Sequence, residues 1–223
     1  MNKILALCSL VVLLGLASCT EDSPKSKHHK KAAVNGKKPS PNVSVNRKQQ
    51  FEKFIRKFKP MALPLTIKTL EIEPGAAELK ITDKDSLFIR TRFPNETRAL
   101  GMLSDTSTTI QLLWLEPAEM YNPVLTTFTK SGQKISEQHL SVGSCGADCC
   151  FTCDEYIYIR KDRSIYGVDS IKSCVCDAKG PNQRTMKRYI RYITGQIAAD
   201  GKISLSKVRE KNISPRSAPS GAR

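Results

Sequence analysis

The sequence predicts a mainly β domain: an antiparallel meander forming a sandwich or a partial barrel, preceded by one short amphipathic helix. Three observations carry this. Between positions 65 and 208 apolar residues recur with period two in many short runs, the pattern of strands whose successive side chains point to opposite faces. The tetrapeptides KSGQ at 130–133, KDRS at 161–164 and ADGK at 199–202 interrupt that alternation, and Asp-Gly between apolar alternations is the strongest short hairpin signal. The stretch 51–210 has the length of one β domain and holds no internal repeat.

The helix comes first. Phe51, Phe54, Ile55 and Phe58 follow i, i+3, i+4, i+7, one apolar stripe, and Pro60 ends it. Lys53, Arg56 and Lys57 occupy the opposite face. Such a basic amphipathic helix can lie on a membrane; docking of its stripe on a sheet is the expected arrangement. Strands are expected at 65–72, 79–81, 87–93, 109–115, 124–128, 135–142, 156–160, 164–174, 188–198 and 202–208. If KDRS makes a two-residue turn, Cys149 faces Cys176 across that hairpin; a turn one residue longer would place Cys150 there instead.

The two ends differ from the body. Residues 20–50 are polar and lysine-rich, with almost no large apolar side chain. Burial there cannot offset the entropy of ordering, so a flexible tether is expected over 19–50. Residues 211–223 read as a frayed tail. The chain carries 36 Lys+Arg against 21 Asp+Glu, a net +15. Residues 20–50 hold 8 basic and 2 acidic residues, 184–223 hold 10 and 2, and 51–183 hold 17 of each. The basicity therefore belongs to the ends. Basic ends favour anionic lipid headgroups or an anionic envelope glycan. A nucleic-acid partner is not expected, although KRYIRYI at 187–193 interleaves basic and aromatic residues as stacking grooves do. A half-buried edge strand fits that stretch at least as well. No protein partner can be read from the sequence.

The compartment follows from the first residues. Lys3 precedes an apolar run of thirteen residues, 4–16. That is shorter than the ~20 residues of a membrane span and fits a signal-peptide core. The run ends Leu16-Ala17-Ser18-Cys19, which resembles the lipobox of bacterial lipoproteins. The resemblance implies cleavage after residue 18, acylation of Cys19 (palmitate among the chains) and insertion of that lipid into a bilayer. Several acyl chains anchor where one does not, at ~0.8 kcal/mol per buried CH₂. Thr20-Glu21-Asp22 lacks an aspartate directly after the cysteine. The acidic pair resembles the surface-export signal of Bacteroidota lipoproteins, which implies a lipid-anchored outer-membrane protein, periplasmic or surface-exposed. The body, from FEKFIRKFKPMALPLTI to GQIAADGKIS, resembles lipoproteins of the same phylum, and that resemblance implies no activity.

With Cys8 lost in the signal and Cys19 acylated, six cysteines remain: Cys145, Cys149, Cys150, Cys153, Cys174 and Cys176. An even count in an exported chain points to disulfides. Strand alternation sends Cys174 and Cys176 to one face, toward the 145–153 cluster, and leaves the connectivity open. The metal alternative is a thiolate set of Cys150, Cys153, Cys174 and Cys176, C-x₂-C with C-x-C, suited to Zn²⁺ or Cu(I). No C-x-x-C at a helix start supports a redox centre. No cofactor is expected.

Catalytic motifs are absent: no G-x-S-x-G, H-E-x-x-H or phosphate loop occurs. His139 sits on an expected strand. Glu116 and Glu119 would be the acid/base pair of a glycan-acting enzyme; a loop is the plainer account. The sequence therefore reads as a non-enzymatic accessory or ligand-binding lipoprotein of the envelope. Asp85-Ser86-Leu87 and Asp169-Ser170-Ile171 resemble the short O-glycosylation signal of the Bacteroidota, which implies Ser86 and Ser170 as acceptors.

Overall fold

Apolar runs of two kinds, alternating and continuous, sort the strands into two sheets. The structure is a computed structural model. It describes residues 41–213 except 70–76, 80, 81, 83, 119, 120, 144 and 147. The expected signal peptide, Cys19, the tether up to residue 40 and the tail from 214 onward lie outside the described residues.

The first sheet contains β1 (Pro60–Met61), β3 (Ala77–Glu78), β4 (Arg98–Leu103), β5 (Ile110–Glu116), β6 (Asn122–Phe128) and β7 (Lys134–His139). Its order is β1-β4-β5-β6-β7, with β3 also beside β4. The second contains β2 (Leu65–Lys68), β8 (Phe151–Ile159), β9 (Ser164–Asp177), β10 (Gly180–Ile197), β11 (Ile203–Leu205) and β12 (Arg209–Asn212). Its order is β11-β10-β9-β8-β2, with β12 also along β10. Two antiparallel meanders, β4 to β7 and β8 to β11, make a sandwich and not a closed barrel. One pair departs from the antiparallel expectation: β1 runs parallel to β4.

The helix, α1 (Pro41–Ile55), begins ten residues before Phe51. Residues 41–50, assigned above to the tether, are its first turns. Phe51, Phe54 and Phe58 are buried with Leu112, Trp114, Val124 and Phe128 of the first sheet. The other face of that sheet, Leu103, Leu113 and Leu125, packs on Ile67, Ile157, Ile159, Ile165 and Ile197 of the second. The first sheet is thus covered on both sides, and β5 is buried at six of seven positions. This is why LLWL, 112–115, is continuously apolar instead of alternating. Each fully buried side chain of this size contributes about 1.5–3 kcal/mol.

The structure corrects several element assignments. Residues 87–93 are not a strand; Asp85–Leu87 form a 3-10 turn. The Asp85 carboxylate accepts from Thr82 N–H and Oγ1–H, both at 2.8 Å, and from Lys57, which winds the chain there. These hydrogen bonds hold the Asp85 carboxyl below its ordinary range, although its burial alone would raise it. The turn sends Phe88 and Ile89 into the helix-side core and leaves Leu87 exposed. The expected strand 202–208 shortens to β11, and a separate strand, β12, follows it. β4 has no counterpart among the expected strands. KDRS makes a three-residue loop, with Arg163 at φ 65 and Ile159 opposite Ile165. Neither register anticipated for this hairpin is therefore the one formed.

Candidate functional site: a clamped strand arm

That register places Phe151 opposite Ser173, and one step further Cys174 N–H donates to the Cys150 carbonyl at 3.0 Å. Beyond this point β8 has ended, while β9 and β10 continue as a two-stranded arm that turns at 178–179, with Gly180 at φ 102. β9 therefore runs past the expected strand 164–174, and β10 begins well before the expected 188–198.

The six cysteines fall into three pairs with disulfide-compatible placement. Cys145 pairs with Cys153 at a Cα separation of 5.7 Å, Cys149 with Cys176 at 6.2 Å, and Cys150 with Cys174 at 5.3 Å. Cys149 and Cys150 point to successive partners because Cys150 takes a left-handed φ of 60. Two pairs fasten the arm to the segment before β8; the third ties that segment to β8 itself. The thiolate set Cys150, Cys153, Cys174 and Cys176 is divided among all three pairs, so these four sulfurs do not converge on one point.

Below the Cys145–Cys153 pair lie two acids that alternation alone locates. Glu155 and Asp169 occupy inward positions in runs otherwise filled by Ile157 and Ile159, and by Ile165 and Ile171. Glu155 Oε1 accepts from the backbone N–H of Val142 and, at 3.4 Å, of Gly143. Cys145 Sγ is 3.9 Å from Asp169 Oδ1. A search of the sequence for acids at inward strand positions would have found both.

Beside the arm is an open cleft of about 600 Å³. The strand β10 builds it. Lys187, Tyr189 and Arg191 alternate toward the cleft, joined by Arg188, by Ser173 of β9 and by Glu210 of β12. Arg191 Nε donates to Glu210 Oε2 at 3.2 Å, and its guanidinium lies 5.6 Å from the Tyr189 ring centroid. Among the described residues Lys187 and Arg188 face no carboxylate within ion-pair distance. Three cations against one carboxylate make the cleft an anion-attracting surface. It coincides with KRYIRYI, which the sequence flagged by composition and which β-pairing divides between two faces.

The remaining sequence candidates are scattered. Glu116 ends β5, and its carboxylate is 3.7 Å from Nδ1 of His139 at the end of β7. Glu119 lies outside the described residues, so the acid pair has no geometry here. Ser86 is exposed on the 3-10 turn and Ser170 is exposed on the outward face of β9. Comparisons with protein-family models, with curated proteins and with solved structures find no match for this chain.

Proposed function

We propose that this protein is a lipid-anchored accessory protein of the cell envelope that binds an anionic ligand in the cleft at the base of its clamped arm. The observation that carries the reading is the cleft of Lys187, Arg188 and Arg191 on a strand pair fastened by Cys149–Cys176 and Cys150–Cys174. Disulfides at that position fit an exported chain, because an oxidising compartment keeps such bridges closed. The signal-like leader and the Leu-Ala-Ser-Cys19 sequence supply the anchor in the same reading. Binding, not turnover, is the activity proposed. The ligand would be held by charge and by the Tyr189 ring, with Glu210 keeping Arg191 in place.

Two measurements on protein from its host membranes test this. Intact mass should show acylation at Cys19 and no free thiol, and Cys19→Ala should abolish partition into detergent. Titration of the full chain with inorganic phosphate, followed by backbone resonances, should move Lys187 to Arg191, and Lys187→Ala with Arg188→Ala should remove that response. An unmodified Cys19, or phosphate shifts that ignore the double variant, would refute the corresponding half.

A further inference from the structure

The outward face of the second sheet carries a compact tyrosine patch. Tyr158 stands opposite Tyr166, and Val168 stands opposite both Tyr156 and Tyr192. Four tyrosines therefore surround one valine on a single face. Their rings are in contact: Tyr156 with Tyr158 at 6.3 Å between centroids, Tyr158 with Tyr166 at 6.2 Å, and Tyr166 with Tyr192 at 6.2 Å. The first two pairs are nearly parallel, at 13° and 25°. Each tyrosine is half-buried by its neighbours. This is the solvent side of the sheet, where alternation ordinarily places polar residues.

The rim of the patch is cationic. Arg209 stands opposite Tyr192 and Lys211 opposite Ile190, both on the edge strand β12. Lys68 of β2 lies 5.7 Å from the Tyr156 ring centroid. Lys172 and Arg188 close the arm side, opposite each other. Asp154 is the acid among these outward positions of β8, β9, β10 and β12.

We propose that this face binds an acidic glycan, with sugar rings on the tyrosine patch and their anionic groups on the surrounding lysines and arginines. The inference uses the envelope address proposed above, which brings polysaccharide within reach; Arg188 borders both this face and the cleft. A surface of half-buried tyrosines offers aromatic area to the C–H faces of sugar rings, and the phenol hydroxyls offer donors and acceptors to sugar hydroxyls. The basic rim complements carboxylate or phosphate substituents. Insertion into a bilayer fits less well. The most exposed large apolar residues among those described, Leu87, Phe93, Val175, Met186, Val208 and Ile213, all lie outside the patch.

The test is binding of the full chain carrying Cys19→Ala to polygalacturonate, with dextran as the neutral polymer, a single-stranded oligonucleotide, and phosphatidylglycerol vesicles as the other arms. Tight, salt-sensitive binding to polygalacturonate and little to dextran is expected. Tyr158→Ala with Tyr166→Ala should weaken it by roughly tenfold or more, the equivalent of ~1.4 kcal/mol. Should that variant fold poorly, Arg209→Glu with Lys211→Glu, on an edge strand exposed at every position, should weaken binding to a similar degree while leaving the circular dichroism unchanged. Lys53→Ala, an exposed cation on α1, should leave binding intact. Equal binding to dextran, indifference to both double variants, or stronger binding to the oligonucleotide or the vesicles overturns the proposal.

Discussion

Glu155 and Asp169 stand directly opposite each other on β8 and β9, and each is only 2% exposed. Two carboxyl groups side by side in a core are an unusual expense for a small domain. Burial pushes both above the ordinary carboxylate range. For Glu155 the backbone N–H groups of Val142 and Gly143 offset part of this, and the charge of Asp169 adds to it. For Asp169 the opposing influence is Arg191, its neighbour across β9 and β10.

The sign of the pH dependence follows. A carboxyl whose folded pKa is raised holds its proton more tightly in the folded chain than in the unfolded one. Its contribution to stability is complete below the unfolded pKa of about 4 and is lost as pH rises through the folded value. Asp169→Asn should therefore stabilise the domain at pH 7, where leaving a buried charge poorly compensated costs on the order of 1–3 kcal/mol. The advantage should shrink toward zero near pH 4. Thermal unfolding at both pH values checks it; a variant less stable than the parent at pH 7 would contradict the account.

The helix is held by its phenylalanines. The Phe51 ring is 5.2 Å from Phe88 and 5.1 Å from Phe128, centroid to centroid, and is fully buried. Phe51→Ala should cost about 3–5 kcal/mol, whereas Lys53→Ala on the open face should fall within about 0.5 kcal/mol. Gly132 serves the same contact. It has φ +83, and a Cβ there would come within 2.6 Å of the Phe51 ring, so Gly132→Ala should destabilise through both strain and displacement of Phe51. Urea unfolding of the three variants tests the ranking; equal losses for Phe51→Ala and Lys53→Ala would show that the helix is not docked by this stripe.

Much of this was legible from spacing. The i, i+3, i+4, i+7 stripe located the helix, and alternation located most strands. What stayed hidden has physical causes. In β4 the inward positions include Ala99 and Gly101, so the alternation is invisible to a hydrophobicity count. The small residue at 101 is required: the Lys59 carbonyl would lie 2.9 Å from a Cβ there, and Met61 would collide with it. Strand β12, REKN, is exposed at every position and carries no apolar signal. The 87–93 stretch has strand composition, but the hydrogen bonds of Asp85 decide its conformation. The KDRS loop conceals its length because Arg163, not glycine, takes the left-handed position. One residue of error in that loop shifts the cysteine register, so the clamp was legible in kind and not in connectivity. The tyrosine patch required pairing between three strands, which no local pattern supplies.

The clamp itself gives the last prediction. Cys149–Cys176 and Cys150–Cys174 span 27 and 24 residues, one loop nested within the other. A bridge stabilises chiefly by removing loop-closure entropy from the unfolded chain, about 3–4 kcal/mol for loops of this size. Once either bridge is closed, the other closes only the few additional residues between 149–150 and 174–176, so little entropy is left for it to remove. Replacing Cys150 and Cys174 by Ser should therefore cost well under the single-bridge value, as should replacing Cys149 and Cys176. Replacing all four should cost roughly the full 3–4 kcal/mol, reduced where the β8–β9 hairpin persists in the unfolded state. The coupling between the two pairs should then be large and have the sign of redundancy. Urea midpoints and slopes for the parent, the two pair variants and the quadruple variant close the cycle. If the two pair losses simply sum to the quadruple loss, each bridge stabilises through its own native contacts and the loop-entropy account of the clamp fails.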